Sequence, residues 1–260
     1  VEAEVKIGVG FITPHPTAGF GGGGKIVIPG LASMETIIKN HTPAHQGKIG
    51  GTGFSQGYDL NKNELRLDME EGARMAGLDI IVNSVGTSEG KTAGVFVGYL
   101  VQAHRAAVEL TRKVYITEAP TDVDIGIFNA FPEDTELCQS QKALNVWTGN
   151  LNRRIVREGG KVVIATASSD GLGFHSLTDV GMRLYRKVDE RKSIAELFQN
   201  RKIFILSPNC SSCDLYTRFP GQVLIRNEWK DILEELKEGT SSQTVALFPN
   251  GSLQFTPPLL

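Results

Sequence analysis

From Asp122 onward the chain alternates short apolar runs with helix-like stretches, and this alternation restricts the fold more than any other feature. Residues 125–129, 161–166, 203–206 and 223–225 read as strands. A helix is expected over about 134–157, two helical stretches after residue 166, and another over 229–237. Strands separated by helices are joined by crossovers rather than tight turns, so the expectation is an open, mainly parallel α/β sheet. The closing runs 244–248 and 252–255 read as a hairpin about Asn250-Gly251, a dipeptide suited to tight hairpin turns.

The first half has a different grammar. Residues 5–12 read as a strand, followed by a turn-rich stretch over 13–24 and by Ile26-Val27-Ile28, a short strand-like run stopped at Pro29-Gly30. Ser33 has the character of a helix N-cap, opening a helix through Lys39. A second helix is expected over 64–76 and strands over 79–84 and 94–97. Leu100, Ala103, Ala107, Leu110 and Val114 recur at steps of three and four, one face of an amphipathic helix that Pro120 and Thr121 end. The expected architecture is two α/β domains with a ligand cleft between them. The first comprises residues 1–106 plus 239–260, and a linker helix lies within 100–121. The second, Rossmann-like and built on an open mainly parallel sheet, spans 122–227, and a return helix covers 228–238.

Composition excludes several classes. A net charge of −2 leaves no basic stripe to neutralise phosphates, so nucleic acid is not an expected partner. No apolar run is long enough for a bilayer and no signal peptide is visible, which points to the cytoplasm. Cys138, Cys210 and Cys213 do not make a disulfide framework. Cys210-Ser-Ser-Cys213 has metal or redox spacing, but no second ligand pair lies nearby and loop cysteines are expected.

Gly19-Phe20-Gly21-Gly22-Gly23-Gly24-Lys25 fits the spacing of a phosphate-binding loop. Such a loop needs Ser or Thr after the lysine to ligand magnesium and must open a helix whose amides face the anion. Ile26 occupies the hydroxyl position and a strand stopped by Pro29 is expected, so that reading fails twice. A mobile glycine turn with an exposed lysine is the plain alternative. Against it, so many adjacent glycines cost backbone entropy and usually mark close approach by a ligand or another backbone.

Taken whole, Pro14-His15-Pro16-Thr17-Ala18-Gly19-Phe20 through the glycines to Lys25, then Pro29-Gly30, Glu35-Thr36-Ile37 and Asn40-His41, resembles the nickel-pincer lactate racemase family. The lysine stands ten residues after the histidine, and the Asn-His histidine sixteen beyond the lysine, as in that family. A match of several parts is far more specific than one short motif. Gly98-Tyr99-Leu100-Val101-Gln102-Ala103-His104 also resembles family sequence, and His104 is given no role.

The resemblance implies a nickel-pincer nucleotide, pyridinium-3-thioamide-5-thiocarboxylic acid mononucleotide, joined to Lys25 as a thioamide. It makes His41 the nickel ligand, a donor suited to that metal beside sulfur. Gly22, Gly23, Gly24, Phe20 and Pro29 would line the cofactor, the glycines letting its flat ring approach the backbone. The implied activity is racemisation or epimerisation of a 2-hydroxy acid. His15 takes and returns the hydroxyl proton, a role suited to an imidazole titrating near neutrality. Gln139 and Lys142, three apart in Glu136-Leu137-Cys138-Gln139-Ser140-Gln141-Lys142, match the family's substrate-facing pair. Cys138 stands where well-known members carry an aromatic residue. Cofactor-synthesis proteins are the implied partners. The family's second catalytic histidine and its carboxylate-binding arginine match no position of the chain, so the chain tested alone is expected to be inactive. Two alternatives remain. One is a binding module that keeps the anchor without catalysis. The other is a nicotinamide-dependent oxidoreductase, weakened by the lack of a Gly-x-Gly-x-x-Gly strand–helix turn.

Overall fold

The computed structural model describes residues 2–45, 59–148, 154–187, 197–215, 218–219, 222–237 and 242–256. These fall into two compact units that divide between Ile116 and Thr117.

The first unit is built on a three-stranded sheet. Strands β1 (Ile7–Phe11) and β4 (Ile80–Gly86) run parallel, and β5 (Thr92–Tyr99) joins β4 antiparallel. Between β1 and β4 lie a two-stranded ribbon, β2 (Pro14–His15) with β3 (Gly19–Phe20), and the helices α1 (Met34–His45) and α2 (Glu64–Met75). The Ser33 hydroxyl accepts from the Thr36 amide at 3.3 Å, as an N-cap should. Helix α1 continues through Pro43, beyond its expected end at Lys39. Helix α3 (Leu100–Tyr115) follows β5 directly and packs on β4 and β5 through Leu100, Ala103 and Ala107. It is therefore part of the first unit rather than a linker. One face of the sheet is covered in this way. On the other, Ile7, Val9 and Phe11 of β1 and Val95, Val97 and Tyr99 of β5 are exposed.

The second unit is a five-stranded, wholly parallel sheet. Its order is β10 (Val245–Phe248), β6 (Val123–Asn129), β7 (Val156–Ala165), β8 (Lys202–Leu206) and β9 (Leu224–Arg226). Parallel strands need cover on both faces, and successive residues of β7 supply it. Val162 and Ile164 join a large apolar cluster with Trp147, Phe128 and Phe248, whereas Val163 joins a smaller one with Phe204, Ile232 and Leu236. Ile232 and Leu236 belong to helix α4 (Trp229–Lys237), which packs on β8 and β9 and so belongs to this unit instead of returning to the first.

Three expectations are corrected here. The segment after β6 is a 3₁₀ run, Leu137–Leu144, with one α-helical turn, Asn145–Thr148, and β7 has begun by Val156. The stretch 167–187 holds turns without a helix; the expected helix after it falls partly outside the described residues. The described tail residues 242–256 belong to the second unit and do not form the expected hairpin. Ala246 and Phe248 bury one side of β10 against β6, and the Gly251 amide donates to the Asn129 carbonyl at 2.8 Å. Among the described residues no helix is long and apolar enough to cross a membrane.

Candidate functional site

The stretch from Thr13 to Pro29 is a tightly packed loop. Pro14 and His15 pair with Phe20 and Gly19 across the ribbon, and the turn between them closes on the His15 ring. Its Nδ1 accepts from the amides of Ala18 at 3.1 Å and Thr17 at 3.3 Å. An accepting Nδ1 places the proton of the neutral ring on Nε2. That Nε2 lies 3.3 Å from Lys25 Nζ. The two side chains most prominent in the sequence thus meet, both half-buried, on one loop.

Beyond Gly22 the chain does not extend. Gly22 and Gly23 take φ of 64° and 57°, and Gly23–Ile26 forms a 3₁₀ turn whose Gly24 carbonyl accepts from Val27 and Ile28, both at 3.0 Å. Ile28 is buried against Ala18, Leu65 and Met69, and its peptide bond to Pro29 is cis. The strand expected over 26–28 is therefore absent, because the preceding glycines curl the chain and burial of Ile28 completes the turn. The phosphate-loop reading keeps one objection, the missing hydroxyl, and gains another. A single 3₁₀ turn is too short to present a helix N-terminus to an anion.

The glycines are explained by what lies beneath them. A Cβ on Gly22 would stand 2.4 Å from Ile12 Cδ1, on Gly23 2.6 Å from the His104 ring, and on Gly24 2.7 Å from the Met69 carbonyl oxygen. Close approach is the reason for the run, as expected, but the approaching groups include the protein's own core. Phe20 is likewise buried, with the Arg112 guanidinium 5.5 Å from its ring centre, so its side chain supports the loop from the interior. Pro29 is half-buried at the loop's end.

A buried polar network fixes the loop's backbone. Arg66 of α2, fully buried, donates to the carbonyls of Ala18 (3.3 Å), Gly22 (3.1 Å) and Phe20. Glu70, one turn on, receives Arg105 through two bonds of 2.7 and 3.1 Å. His104 Nε2 donates to the Gly21 carbonyl at 2.9 Å, while its Nδ1 lies 3.1 Å from Arg105. Asn83 Oδ1 accepts from the Gly23 amide at 3.0 Å. Burial pulls the Arg66 guanidinium down to about 10, opposed by Glu70. Burial also holds the His104 imidazole well below its ordinary 6.5, with Arg66 adding to the effect. Sequence reasoning passed over these residues. Their only signal was polarity on otherwise apolar surfaces, such as His104 between Ala103 and Ala107.

His41 sits on α1, half-buried, and its Nδ1 donates to the Ile37 carbonyl at 3.0 Å. That bond leaves Nε2 as the unprotonated nitrogen, the arrangement found where a histidine ligates a metal through one nitrogen and is oriented through the other. Beside it, buried Asn40 donates to Asp68 at 2.5 Å, and its Oδ1 has no partner among the described residues. His45 closes α1, since Pro43 is accommodated within the helix.

Gln139 and Lys142 lie in the second unit, on the 3₁₀ run, where three residues per turn align them along one edge. Lys142 pairs with Glu133, and Cys138 Sγ donates to Glu136 at 3.2 Å. Burial first, and then Glu136, push the Cys138 thiol up to about 11. Arg218, buried and paired with Asp179, lies near Lys142 and His175, and burial first and then Arg218 lower the proton affinity of His175. Neither Arg218 nor His175 was anticipated. The three cysteines carry free thiols, and among the described residues no group of three or more His, Cys, Asp or Glu gathers to hold a metal.

A profile described as the lactate racemase N-terminal domain matches residues 1–51. Over 175 residues, 66% of this chain and 39% of the relative, the sequence is 32% identical to lactate racemase from Thermoanaerobacterium thermosaccharolyticum. The lactate racemase of Lactiplantibacillus plantarum is 31% identical over 184 residues, 69% of this chain and 41% of the relative. Over about two thirds of its length the chain is similar to members of the lactate racemase family. The fold agrees: the lactate racemase apoprotein from T. thermosaccharolyticum matches with a TM-score of 0.72 at 23% identity, over 98% of this chain and 63% of that one. A Thermotoga maritima protein matches with a TM-score of 0.65 at 14% identity, over 97% and 66% respectively. The chain spans about two fifths of the length of the curated relatives it matches.

Proposed function

We propose that this chain carries the cofactor anchor of a 2-hydroxy acid racemase or epimerase, with a nickel-pincer nucleotide tethered at Lys25. The observation that carries the reading is the 3.3 Å approach of His15 Nε2 to Lys25 Nζ on a rigidly packed loop. The residues present fit the group. Lys25 offers an amine for an amide-type link, and His41 offers an imidazole Nε2 whose partner nitrogen is already fixed by a carbonyl. When bound, the nucleotide supplies a reversible acceptor for the substrate's α-hydride.

The chain's own residues handle position and protons. Two backbone amides at Nδ1 fix the orientation of the His15 ring and turn Nε2 toward the tether. Arg66, His104 and Asn83 hold the loop's carbonyls and amide, so the tether is presented without further ordering. Lys142 and Gln139 are assigned to the substrate carboxylate and oxygen, and the proteins that make the nucleotide are the partners needed for loading.

Intact-mass spectrometry with nickel analysis tests the anchor on protein produced alongside those synthesis proteins. An adduct is expected at Lys25, absent in Lys25→Arg and retained in His15→Gln. Chiral chromatography of a 2-hydroxy acid should then show no interconversion by the loaded chain tested alone. An unmodified Lys25, under conditions that load an established family member, refutes the reading.

A further inference from the structure

The polarity of the His15–Lys25 contact can be read from the loop's own backbone. The amides of Thr17 and Ala18 both point at His15 Nδ1, at 3.3 and 3.1 Å. Amide hydrogens are fixed by the chain, unlike those of hydroxyls and rings, so these two donors leave no place for a hydrogen on Nδ1. An imidazolium, with an N–H on both nitrogens, meets the same obstacle. The proton of the neutral ring then sits on Nε2, 3.3 Å from Lys25 Nζ. An ammonium has three donors and no lone pair, so it would set donor against donor. An amine accepts from Nε2–H, and only that state of Lys25 makes the contact a hydrogen bond.

The surroundings favour the same state. Lys25 is half-buried, which penalises a charge. Arg66 contacts the loop's carbonyls, Arg112 the Phe20 ring and His104 the Gly21 carbonyl, while Glu70 is engaged by Arg105. The other charged residues of α2 and α3, Glu64, Asp68, Glu71, Arg74, Glu109 and Lys113, are exposed, and β1 carries none. On α1, Glu35 and Lys39 pair at the surface and His41 donates to its own helix. The fixed charges turned toward the loop are thus mainly positive.

We propose that His15 holds Lys25 as the neutral amine, so that the loop itself presents a nucleophilic nitrogen to activated acyl carbon. His15 is then a positioning residue for making the anchor, apart from any role in turnover. In the reaction the Nζ lone pair bonds to the acyl carbon, the bond from that carbon to its leaving oxygen or sulfur breaks, and an Nζ proton passes to solvent. Small acyl thioesters and acyl phosphates form a reacting class, and a Lys25 acylated by one has no amine left for a tether. The inference deepens the anchor reading and rests on the same contact. It concerns the rate of bond formation, so an adduct collected at completion in His15→Gln is consistent with it.

The test labels the cofactor-free chain with trace acetic anhydride across a pH series. Peptide mass spectrometry reads each lysine, with exposed Lys39 and Lys62 as internal references. The Lys25 midpoint should lie at least about one pH unit below theirs, which at neutral pH is about tenfold more amine. The midpoint is the criterion, because half-burial slows the reagent at every pH. His15→Asn keeps an acceptor for the Thr17 and Ala18 amides but places nothing at the Nε2 position, and should return the midpoint to that of the references. Exchange protection over 18–24 shows whether this variant keeps the loop. Where it does not, nitrogen-15 NMR of the His15 ring in the unaltered chain decides, since the proton must lie on Nε2. Three results overturn the inference: a midpoint matching the references, a low midpoint that survives His15→Asn with the loop intact, or a ring proton on Nδ1. An adduct at Lys25 with an ordinary midpoint would sink this inference and leave the anchor reading standing; a low midpoint in a chain that never loads would do the reverse.

Discussion

Replacing Gly23 by alanine tests the packing beneath the anchor loop, because its cost divides into two separable parts. Gly23 has φ of 57°, where an L-residue costs roughly 1–2 kcal/mol. Its new Cβ would lie 2.6 Å from His104 Cδ2 and 2.9 Å from Cγ, and relieving such overpacking costs about 1–3 kcal/mol. The sum is about 2–5 kcal/mol. In a His104→Ala background the ring is gone and only the backbone part remains, about 1–2 kcal/mol. The cycle should therefore show a coupling of about 1–3 kcal/mol in the sense that His104→Ala partly rescues Gly23→Ala. His104→Ala is itself destabilising, since the Gly21 carbonyl loses its donor at about 1–3 kcal/mol. Trp147 and Trp229 both belong to the second unit, so indole fluorescence does not report on this loop. Native-state hydrogen exchange of peptides covering 13–32 and 100–115, read by mass spectrometry, does. Equal costs for Gly23→Ala with and without the His104 ring would refute the packing argument.

Arg66→Met removes a buried cation from three carbonyls and from Glu70; a loss of about 3–5 kcal/mol is expected, read as exchange protection lost over 18–24. His104 stays neutral in the folded chain, whereas the unfolded chain protonates it near 6.5. The first unit's exchange stability should therefore be flat above about pH 6.5 and fall progressively below it, and a rise on acidification contradicts the assignment. Asp124, held down to about 2 by Thr244 and Arg157, contributes stability that is present above about 4 and lost as pH falls from 4 toward 2. Carboxyl NMR should give the low titration, and β10 amides should lose protection in that window. The Cys138 thiol, pushed up to about 11, should alkylate with iodoacetamide at pH 8 far more slowly than exposed Cys213; equal rates would contradict its burial.

Elements with strong period and clean ends were legible in the sequence. Glu64–Met75 and Trp229–Lys237 lie within a residue of expectation, since apolar spacing and flanking turns agree there, whereas Leu100–Tyr115 begins as expected and stops short of Pro120. The failures have specific causes. Ile26-Val27-Ile28 has strand composition, but positive φ at Gly22 and Gly23 and burial of Ile28 set its shape. Asn250-Gly251 forms a turn, yet Val245–Phe248 finds a parallel partner 120 residues earlier in the chain, a pairing that local pattern cannot reveal. The spacing of His15, Lys25 and His41 was visible because it is local and chemically distinctive. The groups that shape their loop were not, because Arg66, Asn83 and His104 meet it only through the tertiary fold.

That dependence gives the loop a place in time as well as in space. Gly21 is held by a histidine 83 positions later in the chain. At synthesis rates of about 5–20 residues per second, His104 is added to the chain roughly 4–17 s after Gly21. Throughout that interval Lys25 exists as an ordinary lysine on an unshaped glycine tether. A partner that recognises the finished loop needs a chain already extended past residue 104, so the proposed modification of Lys25 would follow folding of the first unit.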